Sequence, residues 1–342
     1  MPRPYIKMRE ETKTMQPLVS ICCTAYNHEK YIAQALDSFL AQKCDFPFEI
    51  LVHDDVSTDR TADIIREYAA KYPDIVKPMF QTENQYSKGV PINETFNFPR
   101  AKGKYIALCE CDDFWCDDTK LQRQIDYMEK HPDCTFSFTN GYVHDESGVR
   151  KDDRPFLPYH EGDHRVYKGE STVYTLAEVA KFNFIPTASF VFRVDALRSL
   201  PAEFTEKECQ HGDLRMKLYL TACGHAWYEH VYGCTYRENV AGSAMQIWKK
   251  EKRDLLFKRC QTVVEMVKDV DRFSRGTATE ALMEVADHYL WVMAHNAPDL
   301  KTLMKGEVGR IWRKLPVKER LRCAVRLMLP KNLSEKLTRK GA

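Results

Sequence analysis

Three short hydrophobic runs, each followed by polar residues, constrain the fold of this chain more than any other feature. They occupy residues 18–23, 48–53 and 105–109, and a shorter run at 76–80 predicts a further strand. Continuous apolar runs of this length are typical of strands buried on both faces of a parallel sheet. After the first two runs, apolar residues recur with the 3.6-residue period of a helix. The alternation predicts an α/β fold with a mostly parallel central sheet flanked by helices.

A cluster of acidic residues follows the run at 105–109. Residues 110–115 read Glu-Cys-Asp-Asp-Phe-Trp, which places Glu110, Asp112 and Asp113 at the carboxyl end of a buried strand, where α/β sheets bind ligands. Carboxylates held this close repel one another unless a cation lies among them. Mg²⁺ or Mn²⁺ favours carboxylate oxygens and often shares its ligand shell with phosphates. The cluster therefore indicates a metal–diphosphate site, and a solvated turn or a helix cap is the alternative.

Composition points to a reducing compartment. No apolar run reaches the roughly 18–20 residues that span a bilayer, and the first residues lack the apolar core of a signal peptide. We therefore expect a cytoplasmic protein. Four of its twelve cysteines, Cys22, Cys23, Cys109 and Cys111, lie in or beside predicted strands, where free cysteine packs as a small apolar residue. The chain has no paired C-x-x-C motifs that would indicate structural zinc.

The positive charge is concentrated in a carboxyl-terminal tail. Residues 301–342 carry 13 Lys and Arg against 3 Asp and Glu, a net charge of 13 − 3 = +10, whereas the whole chain has +2. The apolar face of the last predicted helix consists of Leu321, Ala324, Val325 and Met328, with Lys318, Arg322 and Arg326 around it. Two interpretations stay open: contact of 315–340 with an anionic membrane surface, or packing on the domain or on a second subunit. The tail lacks a motif that reads nucleic acid, so we expect no such partner.

The sequence divides into three regions. Residues 1–16 are polar and predict a loose arm, 17–245 contain the strands of the α/β domain, and 246–342 form a helical extension with the basic tail. Within the domain, 144–170 is rich in charge, Pro, Gly and His, which predicts a long surface loop.

Three motifs at the ends of predicted strands resemble those of a known enzyme family. They are Val-Ser-Ile at 19–21 with Tyr26 and Asn27, Asp-Asp-Val-Ser-Thr-Asp at 54–59, and the acidic motif at 110–115. Their order and spacing resemble the family 2 glycosyltransferases, and in particular the bacterial members with an E-x-D-D-[YF]-W motif. The resemblance covers roughly residues 17–245. It implies the GT-A fold, a Rossmann-like sheet.

The resemblance also implies an activity. Family members transfer a sugar with inversion from a nucleotide sugar, usually a UDP-sugar, with Mn²⁺ or Mg²⁺ as cofactor. A saccharide or lipid-linked saccharide would be the acceptor, as in the synthesis of bacterial surface polysaccharides at the inner face of the membrane. The Q-x-x-R-W pattern of processive members is missing, because Ile-Trp-Lys-Lys follows Gln246, so we expect single-sugar transfer.

For the base of the donor, the resemblance implies contacts from Thr24, Tyr26 and Asp55. Tyr26 would pack on the base, and Asp55 would accept a hydrogen bond from its imide. Helix capping is the alternative for the motif at 54–59, and we assign capping to the later residues of that motif.

For the rest of the donor, the resemblance implies that Glu110 reaches the ribose, where most relatives carry Asp. Asp112 would bind the metal between the phosphates, and Asp113 would join the metal shell or orient the loop. Trp115 would line the donor pocket or pack in the core.

Inverting transfer needs a general base within hydrogen-bond reach of the acceptor hydroxyl. The family's base lies at the start of a late helix, which Asp213 matches in the sequence His-Gly-Asp-Leu at 211–214. Capping of that helix is the alternative role for Asp213. Glu208 and His211 are further candidates for the base.

The chain departs from the family pattern at the position of the third metal ligand. Where many relatives carry a His, residues 236–239 read Tyr-Arg-Glu-Asn. Arg237 would pair with phosphate through its planar guanidinium, and Glu238 or Asn239 would replace the His at the metal.

Two other functions compete with glycosyl transfer. A nucleotidyltransferase acting on sugar phosphates would also use a Rossmann-like sheet and carboxylate-bound Mg²⁺, but it needs a glycine-rich phosphate loop, and residues 24–28 contain no glycine. A catalytically silent relative would bind nucleotide or glycan without turnover, and the missing His supports this alternative.

Overall fold

The computed structural model describes residues 16–207, 209–243, 246, 248 and 252–328. These residues form two compact units. The first unit contains the residues up to 205 together with 212–240, and the second contains 206–211 together with the residues from 241 onward. The predicted amino-terminal arm lies, apart from Gln16, outside the described residues.

The first unit is built on one sheet with helices around it. Its strands are β1 (Val19–Ala25), β2 (Phe48–Asp54), β3 (Val76–Phe80), β4 (Tyr105–Leu108), β5 (Phe114–Trp115), β6 (Cys134–Asp145), β7 (Arg154–Pro155), β8 (Thr172–Tyr174), β9 (Val191–Arg193) and β10 (His225–Glu238). The helices up to residue 222 are α1 (Ile32–Leu40), α2 (Thr61–Lys71), α3 (Lys120–Lys130), α4 (Leu176–Val179), α5 (Val194–Arg198), α6 (Glu203–Glu206) and α7 (Gly212–Ala222).

The strand order confirms the α/β prediction and adds a reversal of direction. Along the sheet the order is β3-β2-β1-β4-β9-β6-β10-β5, with β7 paired to β6 and β8 paired to β10. The half formed by β3, β2, β1 and β4 is parallel, as the helices between its strands require. Strand β9 is antiparallel to both of its neighbours, so the other half of the sheet is mixed. With three residues, β9 is too short for its direction to be predicted from sequence.

The apolar face predicted for α1 packs against the sheet. Ile32, Leu36 and Phe39 are fully buried. The ring of Trp115 lies 4.8 Å from that of Phe39, and its indole N–H donates a hydrogen bond of 2.7 Å to the carbonyl of Ala188. Trp115 is therefore a core residue, the second of the two roles considered for it.

The cysteines behave as the sequence predicts. All twelve are free thiols, and the four in or beside strands β1 and β4 are buried. Burial raises the pKa of the Cys22 and Cys109 thiols well above the ordinary value, which keeps them neutral in the core.

The second unit is helical over the residues that the structure describes. Its helices are α8 (Arg253–Phe273), α9 (Thr279–Asn296), α10 (Leu300–Met304), α11 (Gly306–Lys314) and α12 (Val317–Met328). Within the described ranges, none of the helices has both the length and the apolar character that crossing a bilayer requires. The segment 206–211 also belongs to this unit, which the division of the sequence at 245 did not include.

Val56 has a strained backbone at the edge of the sheet. Its φ of 65° lies in the left-handed region, which β-branched residues rarely adopt. Hydrogen bonds fix the backbone on both sides: the N–H of Asp55 donates to the carbonyl of Ala25 at 3.0 Å, and the N–H of Ser57 donates to the Asp54 carboxylate at 3.2 Å. Such strain persists only where the surrounding structure over-determines the conformation.

Replacing Val56 by glycine should stabilise the protein. Glycine adopts this φ without a steric cost, so we expect Val56→Gly to raise the free energy of unfolding by about 1 kcal/mol in urea titrations. Gly89→Ala is the opposite control, because Gly89 has a φ of 78° and alanine there should lower stability by about 1 kcal/mol. A destabilised Val56→Gly variant would contradict the assignment of strain.

Candidate functional site

The three sequence motifs meet at one edge of the sheet. The N–H of Asp55, after β2, donates to the carbonyl of Ala25 at the end of β1. On the other side of β1, the N–H of Cys111 donates to the carbonyl of Thr24 at 3.0 Å. The residues that follow β2 and β4 therefore flank the end of β1, as the parallel order predicts.

Side chains tie the loop after β1 to the loop after β2. The amide oxygen of Asn27 accepts a hydrogen bond of 2.8 Å from the N–H of Thr58, and the N–H of His28 donates to the hydroxyl of Thr61 at 2.8 Å. Asn27 has a φ of 57°, a conformation that asparagine tolerates better than most residues. The two loops thus form one connected surface.

Two of the residues predicted to contact the nucleotide base of the donor have side chains that a ligand can reach. Tyr26 leaves 46% of its surface exposed at the end of β1. Thr24, near the end of β1, is half-buried. An exposed aromatic ring beside a polar edge is suited to stacking on a planar base.

Asp55 has a structural role that the sequence interpretation did not assign to it. It is buried, and its two carboxylate oxygens accept hydrogen bonds from the backbone N–H groups of Gln85 (2.7 Å) and Tyr86 (2.9 Å). Asp55 therefore fixes the turn after β3. Its predicted contact with a base imide stays a prediction, and it would have to use the remaining lone pairs.

The acidic cluster is electrostatically strained. Burial, together with the negative charges of Asp112 and Asp213, raises the pKa of Glu110 to about 7. Burial and the charges of Asp112 and Glu110 also raise the pKa of Asp113 well above its ordinary value. One oxygen of Asp113 accepts a hydrogen bond of 2.8 Å from the backbone N–H of Arg237. This hydrogen bond ties the acidic loop to β10, and the predicted place of Asp113 in the metal shell stays a prediction.

Arg237 is bound by the protein itself, which argues against the predicted phosphate contact. Its guanidinium donates hydrogen bonds to the carbonyl of Asp112 and to the side chain of Gln34, and it forms an ion pair of 3.0 Å with Glu146. It also lies between the rings of Tyr31 and Phe114, 4.9 and 4.7 Å from their centroids. Arg237 therefore positions the acidic loop, and its contact with phosphate stays a prediction.

The residues that were expected to replace the missing His also have protein partners. Glu238 pairs with Arg150 and Arg154 at 3.0 and 3.1 Å. Asn239 donates a hydrogen bond of 2.8 Å to Asp145. These contacts argue against both residues as metal ligands.

His28 is a candidate site residue that the sequence interpretation missed. Its Nε2 lies 3.9 Å from a carboxylate oxygen of Asp112, and both side chains are partly exposed. Its Nδ1 is buried and has no hydrogen-bond partner among the described residues. The only signal in the sequence is the position of His28 in the turn after β1, which the strand order brings next to the acidic loop.

The residues present fit a divalent cation that arrives with a diphosphate. Within the described part of the chain, no three His, Cys, Asp or Glu side chains form a set that could hold a metal ion. Mg²⁺ in nucleotide sites commonly has only one or two carboxylate ligands and takes the rest from phosphates and water. Asp112 would supply the carboxylate ligand of such an ion, and His28, whose Nε2 lies 3.9 Å from that carboxylate, would be a second protein ligand.

Asp213 lies in the first turn of α7 and close enough to the acidic loop for its charge to raise the pKa of Glu110. One turn later, the buried Lys217 donates a hydrogen bond to the carbonyl of Phe182, and the charge of Asp213 counteracts the lowering of the Lys217 pKa by burial. Among the alternative bases, Glu208 lies outside the described residues, and His211 belongs to the second unit.

Comparison with known sequences identifies the family. The model of Glycosyl transferase family 2 matches residues 20–200. An uncharacterized protein of Mycobacterium tuberculosis is 39% identical over 175 residues, which cover 51% of this chain and 46% of that protein. WfaP of Escherichia coli, named a UDP-Glc:alpha-D-GlcNAc-diphosphoundecaprenol beta-1,3-glucosyltransferase, is 36% identical over 126 residues, or 37% and 47% of the two chains. The chain thus spans about half the length of the curated relatives it matches.

Comparison with solved structures identifies the fold. Residues 1–349 of Staphylococcus aureus TarS, in complex with UDP, give a TM-score of 0.53 at 16% identity, covering 90% of this chain and 80% of that one. The mannosyltransferase PcManGT from Pyrobaculum calidifontis, with GDP-Man and Mn²⁺, gives 0.52 at 16% identity, covering 88% and 80%. These neighbours establish a GT-A fold. Because the family model also matches more than half of the residues, the chain belongs to glycosyl transferase family 2.

Proposed function

We propose that this protein is an inverting, metal-dependent glycosyltransferase that moves one sugar from a nucleotide sugar, most simply a UDP-sugar, to a saccharide or lipid-linked saccharide. The observation that carries the proposal is the acidic loop after β4, where burial and mutual repulsion raise the pKa values of Glu110 and Asp113. Such a loop can accept positive charge at the carboxyl ends of the strands, where α/β sheets bind their ligands. The E. coli relative, named for a diphosphoundecaprenol acceptor, supports a place in the synthesis of surface polysaccharides.

The base of the donor would bind at the end of β1. The exposed ring of Tyr26, directly after β1, supports stacking on the nucleotide base, and Thr24 lies near the end of β1. Asp55, while holding the backbone turn at Gln85 and Tyr86, would accept a hydrogen bond from the base. Glu110 would accept a hydrogen bond from the ribose, at the end of the neighbouring strand.

The diphosphate would lie beside Asp112. Asp112 and His28 would hold Mn²⁺ or Mg²⁺, which when bound neutralises the charge that develops on the leaving diphosphate. Asp113 and Arg237 keep this loop in place, because the carboxylate of one binds the backbone of the other. The Mn²⁺ in the mannosyltransferase structure supports a divalent ion.

Asp213 would remove the proton from the acceptor hydroxyl. Its position at the start of α7, within electrostatic reach of Glu110, supports this role. A carboxylate base needs no further group, because the negative charge departs with the nucleoside diphosphate.

We place this activity in the cytoplasm, next to the membrane that carries lipid-linked acceptors. The twelve free thiols support a reducing compartment. No observation favours the nucleotidyltransferase. The protein partners of Glu238 and Asn239, which argue against metal binding by either residue, keep the catalytically silent relative as the second candidate function.

Removing the carboxylate of Asp112 should abolish metal-dependent nucleotide binding. In calorimetric titrations with UDP and Mn²⁺, we expect Asp112→Asn to weaken the binding of UDP by at least about 100-fold, because a neutral amide cannot replace the anionic ligand. Asp118→Asn is the matched control, since that carboxylate is exposed and pairs with Lys43. Equal UDP affinity with and without Mn²⁺ in the unmodified protein would refute the metal site.

Removing the carboxylate of Asp213 should separate binding from turnover. We expect Asp213→Asn to lower kcat by about 10²–10⁴-fold, the usual contribution of a general base, while the affinity for UDP changes little. The measurement is the release of UDP from a panel of UDP-sugars with saccharide acceptors. Asp195→Asn, at the start of the short helix α5, is a control for loss of an aspartate near a helix start. Binding of UDP without any turnover by the unmodified protein would instead support the silent relative.

The cluster should make stability depend on pH. In the folded protein Glu110 keeps its proton up to about pH 7, whereas the ordinary pKa of a glutamate side chain is 4.5. The folded state therefore binds more protons between these values, and its stability falls as the pH rises through the window, by about 1–3 kcal/mol. Glu110→Gln should reduce this fall in thermal unfolding to the part that comes from Asp113, and the exposed Asp74→Asn should keep all of it. Parallel pH profiles for all three proteins would contradict the raised pKa.

A further inference from the structure

The last described helix, α12, turns its apolar side chains to the solvent. Val317, Leu321, Val325 and Met328 are 66%, 58%, 46% and 68% exposed. At 3.6 residues per turn, these four side chains lie within about 80° of the helix circumference, so they form one continuous apolar stripe. An apolar stripe on the outside of a unit marks an interaction surface.

Contacts on the other side of α12 fix this orientation. Cys323 is buried, and Arg326 donates a hydrogen bond of 3.2 Å to the carbonyl of Ala297. Glu319 lies 3.7 Å from the ring of His295 in α9. The helix is therefore held by its polar and small residues, and its apolar stripe faces outward. Arg326, expected among the solvent-facing cations, belongs to the packed side.

Cations border the stripe. Lys318 and Arg322 are exposed and follow the stripe along one flank of the helix, and Lys314 is exposed just before it. Beyond the described residues, the sequence from 329 to 342 adds four further Lys and Arg against one Glu. An apolar stripe with a basic border is the pattern of a helix that lies in the interface of an anionic bilayer.

The charges also favour an anionic bilayer over a second copy of the chain as the partner of the apolar stripe. A second copy of α12 packed antiparallel on the same stripe would place Lys318 and Arg322 of both copies along one shared flank, and like charges at an interface oppose association. Anionic lipid headgroups would meet the same cations with opposite charge while the acyl region takes up the apolar stripe.

We propose that α12 docks the protein on the surface of an anionic lipid bilayer, with the stripe formed by Val317, Leu321, Val325 and Met328 inserted between headgroups. This interaction rests on the proposed function, because its role would be to bring the enzyme to lipid-linked acceptors. It can be tested independently, because binding to a bilayer requires neither donor nor turnover.

The test is sedimentation of the full chain with vesicles of phosphatidylcholine alone or with about one third phosphatidylglycerol. We expect binding to the anionic vesicles only. High salt should lower the affinity for these vesicles by about tenfold or more, because screening shortens the range of electrostatic attraction to a few Å. Leu321→Ser combined with Val325→Ser should weaken binding by about tenfold or more through the lost apolar contact. Lys318→Gln combined with Arg322→Gln should also weaken it and reduce the salt dependence.

Controls separate this proposal from the proposed function. Lys151→Gln combined with Lys181→Gln removes the same charge at exposed positions in the first unit and should leave vesicle binding unchanged. Metal-dependent UDP binding, measured on the same samples, should be the same in all variants. Absence of binding to anionic vesicles while UDP still binds would overturn the docking proposal alone. A dimer that Leu321→Ser and Val325→Ser dissociate would assign the stripe to a second copy and overturn it as well.

Discussion

Repulsion among the carboxylates after β4 is the constraint on which the rest of the site depends. The parallel pairing of β1 with β2 and β4 brings three loop segments together, and the one after β4 is strongly acidic. Burial penalises its charges further, so Glu110 and Asp113 both have raised pKa values. Binding of a cation and a diphosphate would relieve this repulsion, which is the basis of the proposed activity.

The protein supports this loop without neutralising it. The guanidinium of Arg237 binds the backbone carbonyl of Asp112 and the carboxylate of Glu146, and it lies between two aromatic rings. Its positive charge therefore interacts mainly with the backbone of the loop and with the carboxylate of Glu146. The carboxylate of Asp112 remains partly exposed, with His28 as a neighbour. A fixed backbone with a partly exposed carboxylate is the arrangement expected of a preorganised ligand site.

The sequence predicts the parallel half of the sheet and the meeting of its three motifs, because runs of buried residues and strand-to-helix turns are local signals. It does not predict the reversal at β9, whose three residues have no directional pattern. It does not predict the contacts of Arg237 for a similar reason: the partners Gln34 and Glu146 lie far away in sequence and are brought together only by the fold. His28 was missed because a single histidine in a turn carries no signal until its neighbour Asp112 is known.

The most direct test of the electrostatic account is a crystal structure of the protein with Mn²⁺ and UDP, with diffraction data collected at the manganese absorption edge. The account predicts an anomalous peak about 2.2 Å from a carboxylate oxygen of Asp112, in contact with the diphosphate. An ordered diphosphate whose charge is met by protein cations, with no anomalous peak beside Asp112, would contradict it.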